Sequence, residues 1–249
     1  MSRLPARLQP AWPLLKRAHR LLSVLAGALF RPLGRLLGDR GLPRTATAAS
    51  TVTAEREPRA VSLHPAGPAE VLERGPAQGD PPAHWVFERG RHGEVPARYV
   101  LEVRDGRLVG DFGATITPGG ILDYQTSGYF GLSGWREHPV FLSPRLPQVE
   151  RVDGTVLSLT TRGTVGNYYH FLYDAVARYG IFEEAMPGEH VDAIVVPHQS
   201  GYQRQLLELA GITGTFIQPR ADRTIRADRL LVPSTPNQDL DAPRSATDW

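Results

Sequence analysis

From Thr155 onward the chain switches repeatedly between the hydrophobic periods of strand and helix, which leaves it few architectures. Thr155–Thr160 reads as a strand and Asn167–Glu184 as a helix. Ala193–Val196 is a further strand, Gln203–Leu209 the core of a second helix, and Thr215–Ile217 and Leu230–Val232 short strands. Strands alternating with helices predict a parallel sheet joined by right-handed crossovers. A turn containing Gly163 and Gly166 leads from the first strand into Gly-Asn-Tyr-Tyr-His-Phe-Leu-Tyr-Asp, residues 166–174. On a helix, Asn167, His170, Asp174 and Arg178 stand at i, i+3, i+7 and i+11 and share one face. An amide, an imidazole, a carboxylate and a guanidinium in one stripe beside aromatic rings suit the gripping of a polar substrate where a helix leaves a strand end.

Upstream the pattern is different. Tyr99–Val103 and Arg107–Val109 flank Arg104-Asp105-Gly106, a hairpin signal. Phe112–Thr117 and Ile121–Tyr124 are short strands around Pro118-Gly119-Gly120. A small β-rich section is expected over 84–150, ahead of the alternating α/β section over 151–249. Residues 46–83, rich in Ala, Pro, Thr, Glu and Arg without a sustained period, read as a flexible linker.

The N-terminal arm, residues 1–45, is basic. Residues 1–50 hold nine Lys or Arg and one Asp, a net of +8 that leaves −6 for the rest of a chain whose total is +2. A mildly acidic globular part argues against nucleic acid as a partner. The apolar run Leu21–Phe30 is too short for a bilayer span of about 20 residues. Arg17, Arg20, Arg31 and Arg35 flank it, so residues 14–35 suit a basic amphipathic helix on an anionic membrane surface, and equally a solvated, partly helical tail. The absence of cysteine rules out disulfides, thiolate metal sites and a cysteine nucleophile. Pro243–Trp249 resembles a helix start, with Ser245 as N-cap and Asp248 three residues on. A helix cut in its first turn has no stability of its own, so a C-terminal continuation is expected.

The residues of 166–174, followed by Ala177-Arg178, resemble the signature of glycosyltransferase family 61: Asn, two aromatics, His, an aromatic, Leu and an acid, then Pro-Arg. Ala177 stands where that family usually has Pro. The flanks agree in order: Ile116–Asp123 resembles its early strand–turn–strand, Val195–Pro197 and Leu230–Ser234 its later strands, and Gln205–Ile212 the helix between. The resemblance spans about residues 95–249. It implies an α/β fold, namely one Rossmann-like half of a GT-B-type enzyme, here preceded by the β-rich section and the basic arm. It also implies an inverting transferase that moves a sugar from a nucleotide-sugar donor to a saccharide or glycoconjugate acceptor. The donor-binding second half of such enzymes would lie beyond this chain. Donors of that kind point to the cytoplasm, with peripheral contact at a membrane.

Inverting transfer needs a base for the acceptor hydroxyl and dipolar or cationic groups for the leaving diphosphate. His170 and Asp174 are the catalytic candidates, either with His170 as base and Asp174 orienting it or with Asp174 as base directly. Asn167 and Tyr169 would bind and stack on a sugar, and Arg178 would hold Asp174 or face a phosphate. An ordinary i, i+4 pair at Asp174–Arg178, an Asn167 N-cap and a satisfied His170 would give the same pattern without function. No cofactor beyond the nucleotide sugar is expected. No metal is expected either, since the eight histidines lack ligand spacing and Asp239-Leu240-Asp241 is a weak D-x-D match. The alternative reading is a non-catalytic saccharide-binding or scaffold module that keeps the half-fold.

Overall fold

The computed structural model describes residues 11–33, 36–76, 78–79, 85–132, 134–235 and 244–248. In chain order its strands are β1 (Thr45–Thr47), β2 (Val61–Gly67), β3 (Glu70–Glu73), β4 (His92–Val95), β5 (Arg98–Arg104) and β6 (Arg107–Val109). There follow β7 (Ala114–Ile116), β8 (Ile121–Asp123), β9 (Gln148–Ser158), β10 (Ala193–Val195), β11 (Phe216–Ile217) and β12 (Arg223–Pro233). The helices are α1 (Trp12–Leu33), α2 (Ser50–Arg56), α3 (Trp85–Arg89), α4 (Tyr168–His170), α5 (Ala177–Ala185), α6 (Gly201–Leu209) and α7 (Ser245–Asp248). A π-helical segment, Phe171–Val176, joins α4 to α5.

The alternating segments form the expected parallel core. β12, β9, β10 and β11 lie side by side in that order, each parallel to its neighbour. The chain steps outward from β9 to β10 and β11, then returns to β12 on the other side of β9. The order therefore reverses between β9 and β12, the position at which open α/β sheets place a ligand crevice beyond the carboxyl ends of the strands. Leu157, Ile194, Val196 and Leu231 of these strands and their ends pack against Phe171, Ala175, Ile181 and Phe182 of the helical layer. The architecture is mixed α/β and compatible with a Rossmann-like arrangement.

The remainder of the sheet departs from expectation in three places. β5 and β6 do not form a hairpin. Both run antiparallel to β12, β6 along Thr224–Arg226 and β5 along Arg229–Pro233. Arg104-Asp105-Gly106 interrupts one long run of pairing with β12 without changing its register: Asp105 adopts φ 54°, its N–H donates to Asp228 O at 2.8 Å, and the Ala227 N–H donates to Gly106 O. The Arg226 guanidinium grips the Asp105 carboxylate and holds this left-handed residue in place. At this interruption the sheet forks, with β2 continuing from β5 and β7, β8 and β1 continuing from β6.

Second, residues 46–83 are not a linker through their first part. β1 joins β8 in parallel, α2 covers it, and β2 pairs with β5. The burial there is polar, so no apolar period betrays it. Asp123, fully buried, accepts hydrogen bonds from the hydroxyls of Ser50 (2.9 Å), Thr53 and Thr126 (2.7 Å) and from the Thr126 N–H. The Tyr99 hydroxyl donates to Ser50 Oγ at 2.8 Å. Third, the sections expected at 84–150 and 151–249 share one 10-stranded sheet rather than forming separate units.

Within the arm, α1 is a helix of 22 residues docked on the body. Its inner face carries Ser23 and Gly27, against two 3₁₀ turns, Trp135–Glu137 and Pro139–Phe141. A Cβ built at Gly27 would lie 3.2 Å from Phe141 Cβ, so glycine lets the helix approach that closely. Arg31 lies over the Trp135 and Phe141 rings, and Arg20 pairs with Glu137 at 3.4 Å. Among the described residues no helix is long and apolar enough to cross a membrane. At the other end, Ser245 begins α7, and Glu70 accepts hydrogen bonds from its hydroxyl and from the Arg244 N–H.

Candidate functional site

The loop after β9, residues 159–167, carries the chain over the β9–β12 reversal and into α4. Asn167 has extended dihedrals (φ −128°, ψ 120°), and its side-chain oxygen accepts the His170 N–H at 3.3 Å. It is thus the N-cap of α4, as Asn is well suited to be. Its side chain is exposed. Tyr169 stacks with Tyr173 at 4.8 Å between centroids and meets the His170 ring edge-on at 5.6 Å.

His170 and Asp174 come together. His170 Nδ1 lies 2.8 Å from Asp174 Oδ2, with the imidazole 13 % exposed and the carboxylate 3 %. When Asp174 is ionised its carboxylate can only accept, so a neutral His170 then carries its proton on Nδ1 and presents a lone pair at Nε2. Among the described residues Nε2 has no hydrogen-bond partner. The ring is clamped from two sides. Phe130 packs against it at 4.9 Å, and Gly163 leaves room for it: a Cβ at Gly163 would sit 2.5 Å from His170 Cγ and 2.7 Å from its Cβ.

Arg178 does not join the stripe. It is fully buried beneath it, with Nε and Nη2 donating to Pro233 O at 2.9 and 2.6 Å and Nη1 donating to Thr160 O at 3.1 Å. Its partners lie at the carboxyl ends of β12 and β9, so the guanidinium ties the two strands together at the reversal. Burial pushes its pKa down to about 10, against the opposing charge of Asp174 and then Tyr99. The physical reason for the departure is the π segment. Its i→i+5 turn winds more residues per revolution than an α-turn, so the helical stripe predicted from i+7 to i+11 is rotated. Single π turns of this kind recur at functional sites.

The sequence reading missed Phe130 and Gln203 and took Gly163 only as a turn residue. Gln203, 2 % exposed on α6, donates to Val165 O at 3.2 Å and accepts the Ser200 N–H at 3.0 Å, bracing the 159–167 loop against the neighbouring helix. A polar residue on the inner face of α6 is the sole hint of this in the sequence. Beside it Tyr168, 56 % exposed, stands 5.4 Å from Tyr202. Among the described residues no group of His, Asp and Glu could hold a metal ion. Asp239-Leu240-Asp241 lies outside the described residues.

No family model, curated protein or solved structure matches the chain.

Proposed function

We propose that this chain is the acceptor-side, N-terminal portion of an inverting glycosyltransferase resembling family 61, with a GT-B-type fold and a nucleotide sugar as donor. The observation that carries the reading is the hydrogen bond between His170 Nδ1 and Asp174 Oδ2 at the carboxyl end of the β9–β12 reversal. A buried carboxylate that fixes the Nδ1–H tautomer leaves Nε2 to act as a base. This favours His170 as base and Asp174 as its orienting partner. In the proposed step Nε2 takes the proton of the acceptor hydroxyl, and that oxygen attacks the anomeric carbon. The bond from this carbon to the nucleotide diphosphate breaks on the opposite face, which inverts the configuration. Asn167 and Tyr169 flank the base, where a sugar would be hydrogen-bonded and stacked. Arg178 supports the floor of the site rather than meeting a phosphate.

Supplied with the donor-binding half that the proposal requires, the protein, incubated with a panel of nucleotide sugars and glycan acceptors, should release nucleotide diphosphate and form a glycoside. His170→Ala should abolish this at least about 100-fold. Product formation unchanged in His170→Ala would refute the assignment. A second reading, a saccharide-binding module without transfer, draws on the exposed Tyr168 beside Tyr202, a stacking surface for a sugar ring. It predicts glycan binding by calorimetry that Tyr168→Ala removes, with no nucleotide released under any condition.

A further inference from the structure

The outer face of α1 is a continuous apolar surface on which nothing packs among the described residues. At about 100° per residue, Ser23 and Gly27 mark the side turned to the body. The opposite arc then holds Leu14, Leu15, Ala18, Leu21, Leu22, Leu25, Ala28 and Leu29, with no polar residue among them. All are exposed, the six leucines between 46 % and 66 %. The body covers the other face, which carries Ser23 and Gly27. A stripe of this size on a soluble domain marks an interaction surface.

The charges around the stripe select its occupant. Between Met1 and Gly38 there is no Asp or Glu. Arg17 and His19 border the arc on its two sides, and Lys16 lies in the same exposed N-terminal half. A second copy of the chain laid on this face would bring cation against cation without an acid to answer it. A surface of anionic lipid headgroups over acyl chains is complementary to both features: leucines enter the acyl boundary while Arg17, at the border of the arc, reaches the phosphates. The helix lies in the interface rather than crossing it, because it is too basic and too little apolar to span.

We propose that α1 docks the protein on anionic membrane surfaces through its Leu14–Leu29 face, with the helix axis parallel to the bilayer. Docking would not require α1 to leave the body, since the docking face and the packed face are opposite. It would also set the candidate site at the membrane: Arg20 of α1 donates to Gly131 O at 3.5 Å, next to the Phe130 that clamps His170.

The test is flotation of the full chain with vesicles of equal parts phosphatidylglycerol and phosphatidylcholine, or of phosphatidylcholine alone. The chain should float with the anionic vesicles at least about tenfold better than with neutral ones, and rising salt should release it. Leu25→Glu with Leu29→Glu, two exposed positions that leave the packed face untouched, should lower anionic binding by about tenfold or more with an unchanged circular dichroism spectrum. Arg17→Glu should weaken it by a smaller factor. Equal flotation of the double variant, or no preference for anionic vesicles, overturns the proposal. So does an absence of vesicle binding accompanied by a dimer in light scattering that the double variant abolishes, which would assign the face to a second copy.

Discussion

His138 sets up a pH dependence whose size follows from its surroundings. The imidazole is fully buried, ringed by Phe112, Tyr124 and Tyr129. Its Nδ1 accepts the Val140 N–H at 3.2 Å, capping the 3₁₀ turn Pro139–Phe141, and its Nε2–H donates to Ser127 O at 3.1 Å. A second proton would have to sit on Nδ1, facing a donor, without water. Burial, only partly opposed by the Ser127 carbonyl, pushes the pKa from 6.5 to about 4. The unfolded chain therefore binds more protons than the folded one between those values, so stability is fully present above about pH 6.5 and falls as pH drops toward about 4. At about 1.4 kcal/mol per pH unit the loss from this one group approaches about 3 kcal/mol. The assay is urea denaturation of the wild type and of His138→Asn at a series of pH values. Asn can still cap the turn through its side-chain oxygen, and it does not titrate. The variant should be less stable near neutrality because of the cavity it leaves. The gap between the two proteins should then narrow by about 2–3 kcal/mol on moving from about pH 7.5 to about pH 4.5. A gap that stays constant across that range would refute the reasoning, whatever its size.

Asp174→Asn should cost transfer at least about 100-fold while leaving the fold intact, because an amide donating to Nδ1 would place the proton on Nε2; the reaction rate and a denaturation curve check both halves. Gly163→Ala should displace the His170 ring from Asp174, seen as a changed ring chemical shift and at least about a tenfold loss of transfer, and an undisturbed ring would contradict the contact described. Arg178→Met should destabilise the protein by about 3 kcal/mol, since the Thr160 and Pro233 carbonyls lose a charged donor inside the core; a calorimetric melt reads it. The acid limb should be governed in part by Asp105 and Glu102. The Arg226 hydrogen bond holds Asp105 below the usual carboxylate range. For Glu102, burial acts upward but is outweighed by the hydrogen bonds from Arg229 and His64. Both contributions are present above the ordinary carboxylate pKa and fade as pH falls below about 4, so Arg226→Gln should flatten the acid end of the stability curve.

The parallel core was legible because its strands are short apolar runs separated by helix-period segments, and Asn167 announced its cap by residue type alone. What escaped was structure built from polar atoms. Ser50 and Thr53 are buried to serve Asp123, and Thr47 to meet the Thr53 hydroxyl, so the segment that contains them has the composition of a linker and the placement of a core. β12 was read only at Leu230–Val232, because Arg223, Arg226 and Arg229 carry its ion pairs and break any apolar period. Arg104-Asp105-Gly106 has the residues of a turn, and the in-register interruption between β5 and β6 uses Asp105 for the same left-handed backbone. The stripe at 167–178 was half legible: His170 and Asp174 meet as i, i+4 neighbours do, and the π segment that turns Arg178 inward has no signature in a periodicity argument.

The central place of β12 bears on how this chain comes to be folded as it is made. Its residues 223–233 supply the partner for β5, β6 and β9 alike, across separations of up to 133 residues between Val100 and Pro233. Until they emerge from the ribosome, three strands synthesised much earlier stand with an edge unpaired. Such long-range pairing is slow, and open edges of this kind invite association between nascent chains. A ribosome paused before Arg223 would hold out β5, β6 and β9 as an unfinished ladder, so codon choice and holdase chaperones acting on that stretch should govern the yield of folded protein more than its final stability does.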